Sequence, residues 1–170
     1  MPQLAFYTLA LLREPQDSPA SAGFFDRTGP TFAAAITASG CVAVFNPEDP
    51  ALGPLVAPQA VGHDVNLDQL VATLSVWQDL ESVFGFAYGG VHAEALGHRK
   101  AWFATPEWPV YVSWWVDDGD NNITWELAAG RLDKLHANGP TPAAFDFRHP
   151  FGPDGQPVQV DRAAARAKNK

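Results

Sequence analysis

The chain of 170 residues has one cysteine, Cys41. A single thiol excludes an intrachain disulfide and any thiolate-rich metal site. Beside Val42 and Val44 it reads as a small buried hydrophobe. Positive charge is also scarce. Eleven Lys and Arg face 19 Asp and Glu, for a formal charge of −8, and the densest basic cluster, four residues, is in the final DRAAARAKNK. Phosphate backbones need an exposed basic surface, so nucleic acid is excluded as the main partner. No apolar run reaches the roughly 20 residues of a membrane span. The opening MPQLAFYTLALL lacks the basic start of a secretory signal. The expectation is therefore a cytoplasmic protein without a membrane partner. An apolar content of 46% argues against disorder, and the length suits one domain with its own core.

What is present is organised around Leu70 to Phe103. Val71 to Trp77 reads as a strand rich in Val, Thr and Leu. Asp79 stands where a helix N-cap is wanted. From Leu80 the apolar positions Leu80, Val83, Phe84, Ala87, Tyr88, Val91, Ala95 and Leu96 keep the spacing of one buried helix face. His92 falls on that face, one turn after Tyr88. Gly89-Gly90 precedes it, and glycines within a helix need a reason: a kink, close packing, or room for a ligand.

Around this unit, Leu4 to Leu12 is a strand apolar on both faces. Ser21 to Ser39 is helical, with Phe24, Phe25, Phe32, Ala35 and Ile36 expected in the core and a kink or break at Gly29-Pro30. Cys41 to Phe45 is a second strand. Asn46 to Asn66 is a long loop with four prolines, of the kind that often borders a site. Val110 to Val116 is a strand, and Thr124 caps a helix over Trp125 to Asn138. Ala144 to Phe147 is a short last strand. The domain is expected over residues 1–151, with 152–170 a C-terminal tail.

The first six elements match the split β-α-β, ferredoxin-like arrangement. The fold class expected is α+β: an antiparallel sheet with helices on one face, because right-handed crossovers place them there. The other face is apolar as well, and a homodimer packed sheet to sheet would cover it.

SVWQDLESVFGFAYGGVHAEALGHRKAWF, VYVSWWVDDGD and RLDKLHANGPTPAAFDF together resemble domain-of-unknown-function family 3291, a bacterial group placed among the dimeric α/β-barrel proteins. The resemblance runs from about Leu4 to Phe151. It implies a dimeric α/β barrel related to cofactor-free antibiotic-biosynthesis monooxygenases, polyketide cyclases and haem-binding or haem-degrading enzymes. In the haem-degrading branch the iron-binding histidine lies about one turn beyond His92, where this chain has Leu96. Several oxygenase-like members carry a histidine at the His92 position.

The candidate site is the space between helices and sheet. His92 and Tyr88 are the candidate catalytic pair, with His92 moving protons near neutral pH and Tyr88 orienting or donating. Trp77, Trp115, Tyr7, Phe32 and Trp114 are the candidate substrate-binding residues, since aromatic linings with few polar groups typify small-molecule pockets. The plainer alternative makes His92 a core histidine bonded to a backbone carbonyl. None of His63, His92, His98, His136 and His149 pairs at a metal-ligand spacing, and DDGDNN lacks the length and terminal Glu of a calcium loop, so no metal is expected. The reading is an enzyme of a bacterial biosynthetic pathway acting on a small apolar or aromatic molecule without a tightly bound cofactor, by oxygenation, cyclisation or elimination. The alternatives are a haem protein with His92 as axial ligand, or a non-catalytic dimeric binding or stress-related protein.

Overall fold

Alternating side chains of the first strand enter two separate apolar layers, and the rest of the chain is arranged to fill both. The computed structural model describes residues 1–119 and 122–168. In it β1 (Gln3–Leu11), β2 (Cys41–Val44), β3 (Leu70–Trp77) and β4 (Tyr111–Val116) form one sheet in the order β2-β3-β1-β4. Every neighbouring pair is antiparallel. This is the ferredoxin-like order. It follows from two crossovers of the same hand: α1 (Pro19–Thr37) joins β1 to β2, and α2 (Leu80–Ala87), α3 (Gly90–Gly97) and α4 (Arg99–Trp102) join β3 to β4.

The register sorts the residues by face. Leu4 pairs with Trp77 and Trp115, so these three share one face, while Ala5 pairs with Val76 and Trp114 on the other. On the first face Leu4, Phe6 and Trp77 pack with Leu80 and Val83 of α2 and with Phe145, and the half-buried Cys41 and Phe147 close the layer. On the second face Tyr7, Leu74, Val112 and Trp114 pack with Trp125, Ala128 and Leu132 of α5 (Trp125–Asn138). Each large apolar side chain fully buried this way contributes about 1.5–3 kcal/mol.

The second face is therefore not bare. Helix α5 and the proline-rich loop cover it, and the packing reason for a sheet-to-sheet homodimer is absent. Leu52 of the loop is buried, and Leu55, Val56 and Val61 pack on the same core. The Asp133 carboxylate of α5 accepts the backbone N–H groups of Gln59 (3.0 Å) and Ala60 (2.8 Å) and fixes the loop in place. Three short 3₁₀ turns, Pro50–Leu52, Gln59–Val61 and Leu67–Gln69, give it local order.

Other expectations change in informative ways. Helix α1 runs unbroken for 19 residues through Pro30, capped by the Ser18 side chain. Pro30 removes only the hydrogen bond to the Asp26 carbonyl, and both residues are exposed, so water can replace it. Phe25, Phe32 and Ile36 lie on the solvent side of α1 rather than in the core. Ala144 to Phe147 contributes only isolated bridges, Ser113 with Phe145 and Thr141 with Ala144, and Tyr111 Oη accepts the Phe147 N–H at 3.2 Å. Residues 152–168 do not trail away. Trp115 Nε1 donates to the Phe151 carbonyl (2.7 Å), and α6 (Arg162–Lys168) lies against α2 with Ala165 buried.

Helix α6 sits against α2 at Gly85. A Cβ there would stand 2.5 Å from the Ala165 carbonyl oxygen, so only glycine admits this approach. Gly85→Ala gains about 1 kcal/mol of helix propensity but should still lower stability, because relieving such a clash costs about 1–3 kcal/mol and detaches α6. Urea unfolding measures the first effect. Limited proteolysis at residues 161–168 should show the second as faster cleavage.

Candidate functional site

The helix that begins at Asp79 ends sooner than its apolar spacing suggests. Asp79 caps α2 by accepting the Ser82 N–H at 2.8 Å, and α2 stops at Ala87. Tyr88 closes it, Gly89 is extended, and Gly90 takes a φ of +51°, a left-handed conformation that suits glycine. Helix α3 then restarts in a new direction. Gly89 is its N-cap and has no side chain to cap with.

The restart brings His92 back over the end of α2. Its Nδ1 donates to the Ala87 carbonyl at 2.7 Å, and its ring lies 4.9 Å from that of Phe86. Phe86 in turn stacks on Trp77 at 5.2 Å. A carbonyl can only accept, so Nδ1 carries the proton and the neutral ring has its lone pair on Nε2. Burial lowers the His92 pKa, and the bond to Ala87 offsets this only in part. The imidazole is therefore neutral at neutral pH.

His92 lines a cleft of about 220 Å³ between α1, α2 and the start of α3. Its apolar wall includes Ala34, Phe86 and Val91; its polar groups include Thr37, Ser82 and Lys168. The Lys168 ammonium donates to Asp79 Oδ2 (2.5 Å) and Ser82 Oγ (2.9 Å), while Ser82 Oγ donates to Asp79 Oδ1 (2.7 Å). Burial works to raise the Asp79 pKa, yet the bonds from Lys168 and Ser82 hold it below its ordinary value. The C-terminal helix thus closes one side of the cleft. Outside the cleft lining, Arg27 of α1 donates through Nε and Nη2 to the two oxygens of Glu94 on α3, at 2.9 and 3.0 Å, and ties these two helices together.

Tyr88 is not in this cleft. It is 52% exposed, packs on Phe84 at 4.6 Å and on Phe147 at 6.2 Å, and lines a second cleft on the α6 side of α2. Its hydroxyl lies beside that of Tyr111, whose pKa is raised, first by burial and also by this neighbour. The helix break separates Tyr88 from His92. Of the aromatic candidates, Trp77 backs the His92 cleft through Phe86, with its Nε1 bonded to Ser75 Oγ at 2.8 Å. Trp115 shares that face but bonds to Phe151. Phe32 sits on the solvent side of α1 at 40% exposure. Tyr7 and Trp114 lie across the sheet in the α5 core, where Tyr7 meets Trp125 edge-on at 6.2 Å and Arg131 stands over Trp114 at 5.9 Å. Burial, then the Asp133 charge, raises the Tyr7 pKa, so its phenol stays protonated.

Sequence reasoning missed Lys168 and the Arg162–Arg166 pair. Lys168 lies in the segment read as a tail, so no periodic signal pointed to it. Among the described residues no three His, Cys, Asp or Glu side chains group as metal ligands. Asp117 and Asp118 are exposed in the turn after β4, and Asp120 lies outside the described residues. No described helix is long and apolar enough to cross a membrane.

A family model described as a domain of unknown function, DUF3291, matches residues 3–161. Solved structures with similar folds include the NE2512 protein of unknown function from Nitrosomonas europaea (14% identity, 71% of this chain and 94% of that chain, TM-score 0.47). PA3566 from Pseudomonas aeruginosa is 11% identical over 69% of this chain and 95% of that one, with a TM-score of 0.45. Rv0793 from Mycobacterium tuberculosis is 8% identical over 71% and 97%, with a TM-score of 0.44. No curated protein matches the chain.

The lowered His92 pKa sets a sign for acid stability. Below the ordinary histidine value of 6.5 the unfolded chain takes up this proton before the folded chain does. Stability from this group is intact above that pH and falls as the pH drops from there toward the folded pKa. In urea unfolding at pH 7 and pH 5, His92→Gln should lose less stability on acidification than the wild type.

Proposed function

We propose that the protein, which belongs to this domain-of-unknown-function family, is a small-molecule enzyme in which His92 accepts a proton from its substrate. The observation that carries this reading is that His92 lines an open cleft while its Nδ1–H is bonded to the Ala87 carbonyl at 2.7 Å. It holds the imidazole in one tautomer, with Nε2 as the acceptor, and burial keeps the ring neutral and ready to act. A packing histidine can make the same backbone bond; what favours a base here is that the ring so held lines an open cleft and not a filled interior.

The remaining walls fit the chemistry. The backbone N–H groups at the start of α3 favour the negative charge left when a proton is removed, while the Lys168 ammonium is paired with Asp79. Ala34, Phe86 and Val91 supply apolar contact for the rest of the substrate. The volume of about 220 Å³ lies below the usual 300–1,000 Å³ range for drug-sized ligands and suits a single ring or a short chain. Cyclisation and elimination both begin with such a proton transfer, as does oxygenation of an anion by dioxygen. Every group named comes from one chain, and none requires a tightly bound cofactor. Tyr88 has no part in this step.

A haem does not fit the same residues. His92 Nε2 is chemically capable of ligating iron, but the cleft of about 220 Å³ is smaller than the macrocycle needs. No step is routed through haem.

The test is proton exchange. Small enolisable compounds are incubated with the protein in D₂O, and deuterium incorporated at carbon is read by mass spectrometry. For the compound class that exchanges, His92→Ala should slow incorporation by about 100-fold or more, the usual weight of a general base. Unchanged exchange in His92→Ala would remove the assignment.

A further inference from the structure

Among the described residues, two arginines of α6 stand without partners beside the aromatic edge of α2. Arg162 and Arg166 lie one helical turn apart, on the same side of the helix. Together with Phe84, Gly85, Tyr88 and Ala165 they line a cleft of about 260 Å³. Among the described residues neither guanidinium makes a hydrogen bond or an ion pair. The carboxylates at the start of α6 are committed elsewhere: Asp161 Oδ1 accepts the N–H groups of Ala163 and Ala164, and Glu81 Oε1 accepts the N–H of Asp161. The chain carries 19 acidic residues against 11 basic ones, so two unpaired cations on one cleft are not a matter of abundance.

The cleft is also built. The close approach of α6 at Gly85 forms its floor. The Phe84 ring lies 4.6 Å from Tyr88, and Phe147 backs both at 5.6 and 6.2 Å, so the aromatic wall is held from behind. One side is thus flat and apolar and the other cationic, with planar donors.

We propose that this cleft binds an aromatic carboxylate. The planar forks of Arg162 and Arg166 match a carboxylate, which they can hold by paired hydrogen bonds. The ring of the ligand would lie on Phe84 and Tyr88. The volume takes one aromatic ring with its acid group. This site lies across α2 from His92 and does not depend on the catalytic reading. It gives Tyr88 a role as a binding surface.

Benzoate, benzamide and inorganic phosphate serve as probes, titrated into the full chain and followed by calorimetry and by NMR shifts of the Tyr88 ring. Benzoate should bind saturably and shift Tyr88. Benzamide, the same shape without the charge, should bind at least about tenfold more weakly, as should benzoate to R162Q/R166Q, because charge-assisted bonds are roughly twice as strong as neutral ones. His92→Ala should bind benzoate like the wild type. Both arginines are exposed, and a thermal melt confirms that the double variant is folded. No saturable benzoate binding to the wild type overturns the proposal. So does equal binding of benzoate and benzamide, phosphate binding more tightly than benzoate, or a folded R162Q/R166Q that binds like the wild type.

Discussion

Gly90 holds a backbone φ of +51°, and the arrangement on the helical side of the sheet depends on it. A continuous helix from Leu80 would have kept Tyr88 and His92 on one face, one turn apart. Instead α2 ends at Tyr88 and extended Gly89, and left-handed Gly90 opens α3 so that His92 reaches back to the Ala87 carbonyl. Three things follow from the one break: the tautomer of His92, the uncapped start of α3 at the cleft, and the separation of Tyr88 onto the other flank of α2. Nothing within 4 Å would meet a Cβ at Gly90, so its conformation and not its size is the constraint.

The C-terminal segment completes what the break begins. Helix α6 has no large apolar residue to bury and docks through the contact of Gly85 with Ala165. Lys168 then bonds to the cap of α2. One short helix in this way borders both clefts, with Lys168 on the His92 side and Arg162 and Arg166 on the Tyr88 side. Across the sheet, α5 and the proline-rich loop fill the face that simple ferredoxin-like logic leaves open. The Asp133 bonds to Gln59 and Ala60 hold that cover together.

Much of the fold is legible in the residues. Trp125 to Asn138 is a helix because Thr124 caps it through the Leu127 N–H and Gly139 ends it with a φ of +71°. The four strands carry their own β-branched and aromatic runs, and the ferredoxin-like order follows from connection lengths and handedness. The site is less legible. Gly89-Gly90 marks a break, but its direction depends on backbone angles that spacing does not encode. Trp114 and Trp115 are neighbours in a strand, so they must face opposite ways and cannot line one pocket; Tyr7 falls with Trp114. Helix α6 gives no hydrophobic stripe because small residues bury it. Loop residues 46–66 hide their packing because prolines, and not a periodic pattern, place Leu52 and Val56.

The central claim is that His92 is preset as a neutral base with its proton on Nδ1. Long-range ¹H–¹⁵N NMR of the imidazole at pH 7 reads this directly. The ring should be neutral and in the Nδ1–H form, with Nε2 unprotonated. A charged ring, or the Nε2–H tautomer with Nδ1 unprotonated, would contradict both the bond to Ala87 and the proton-transfer role built on it.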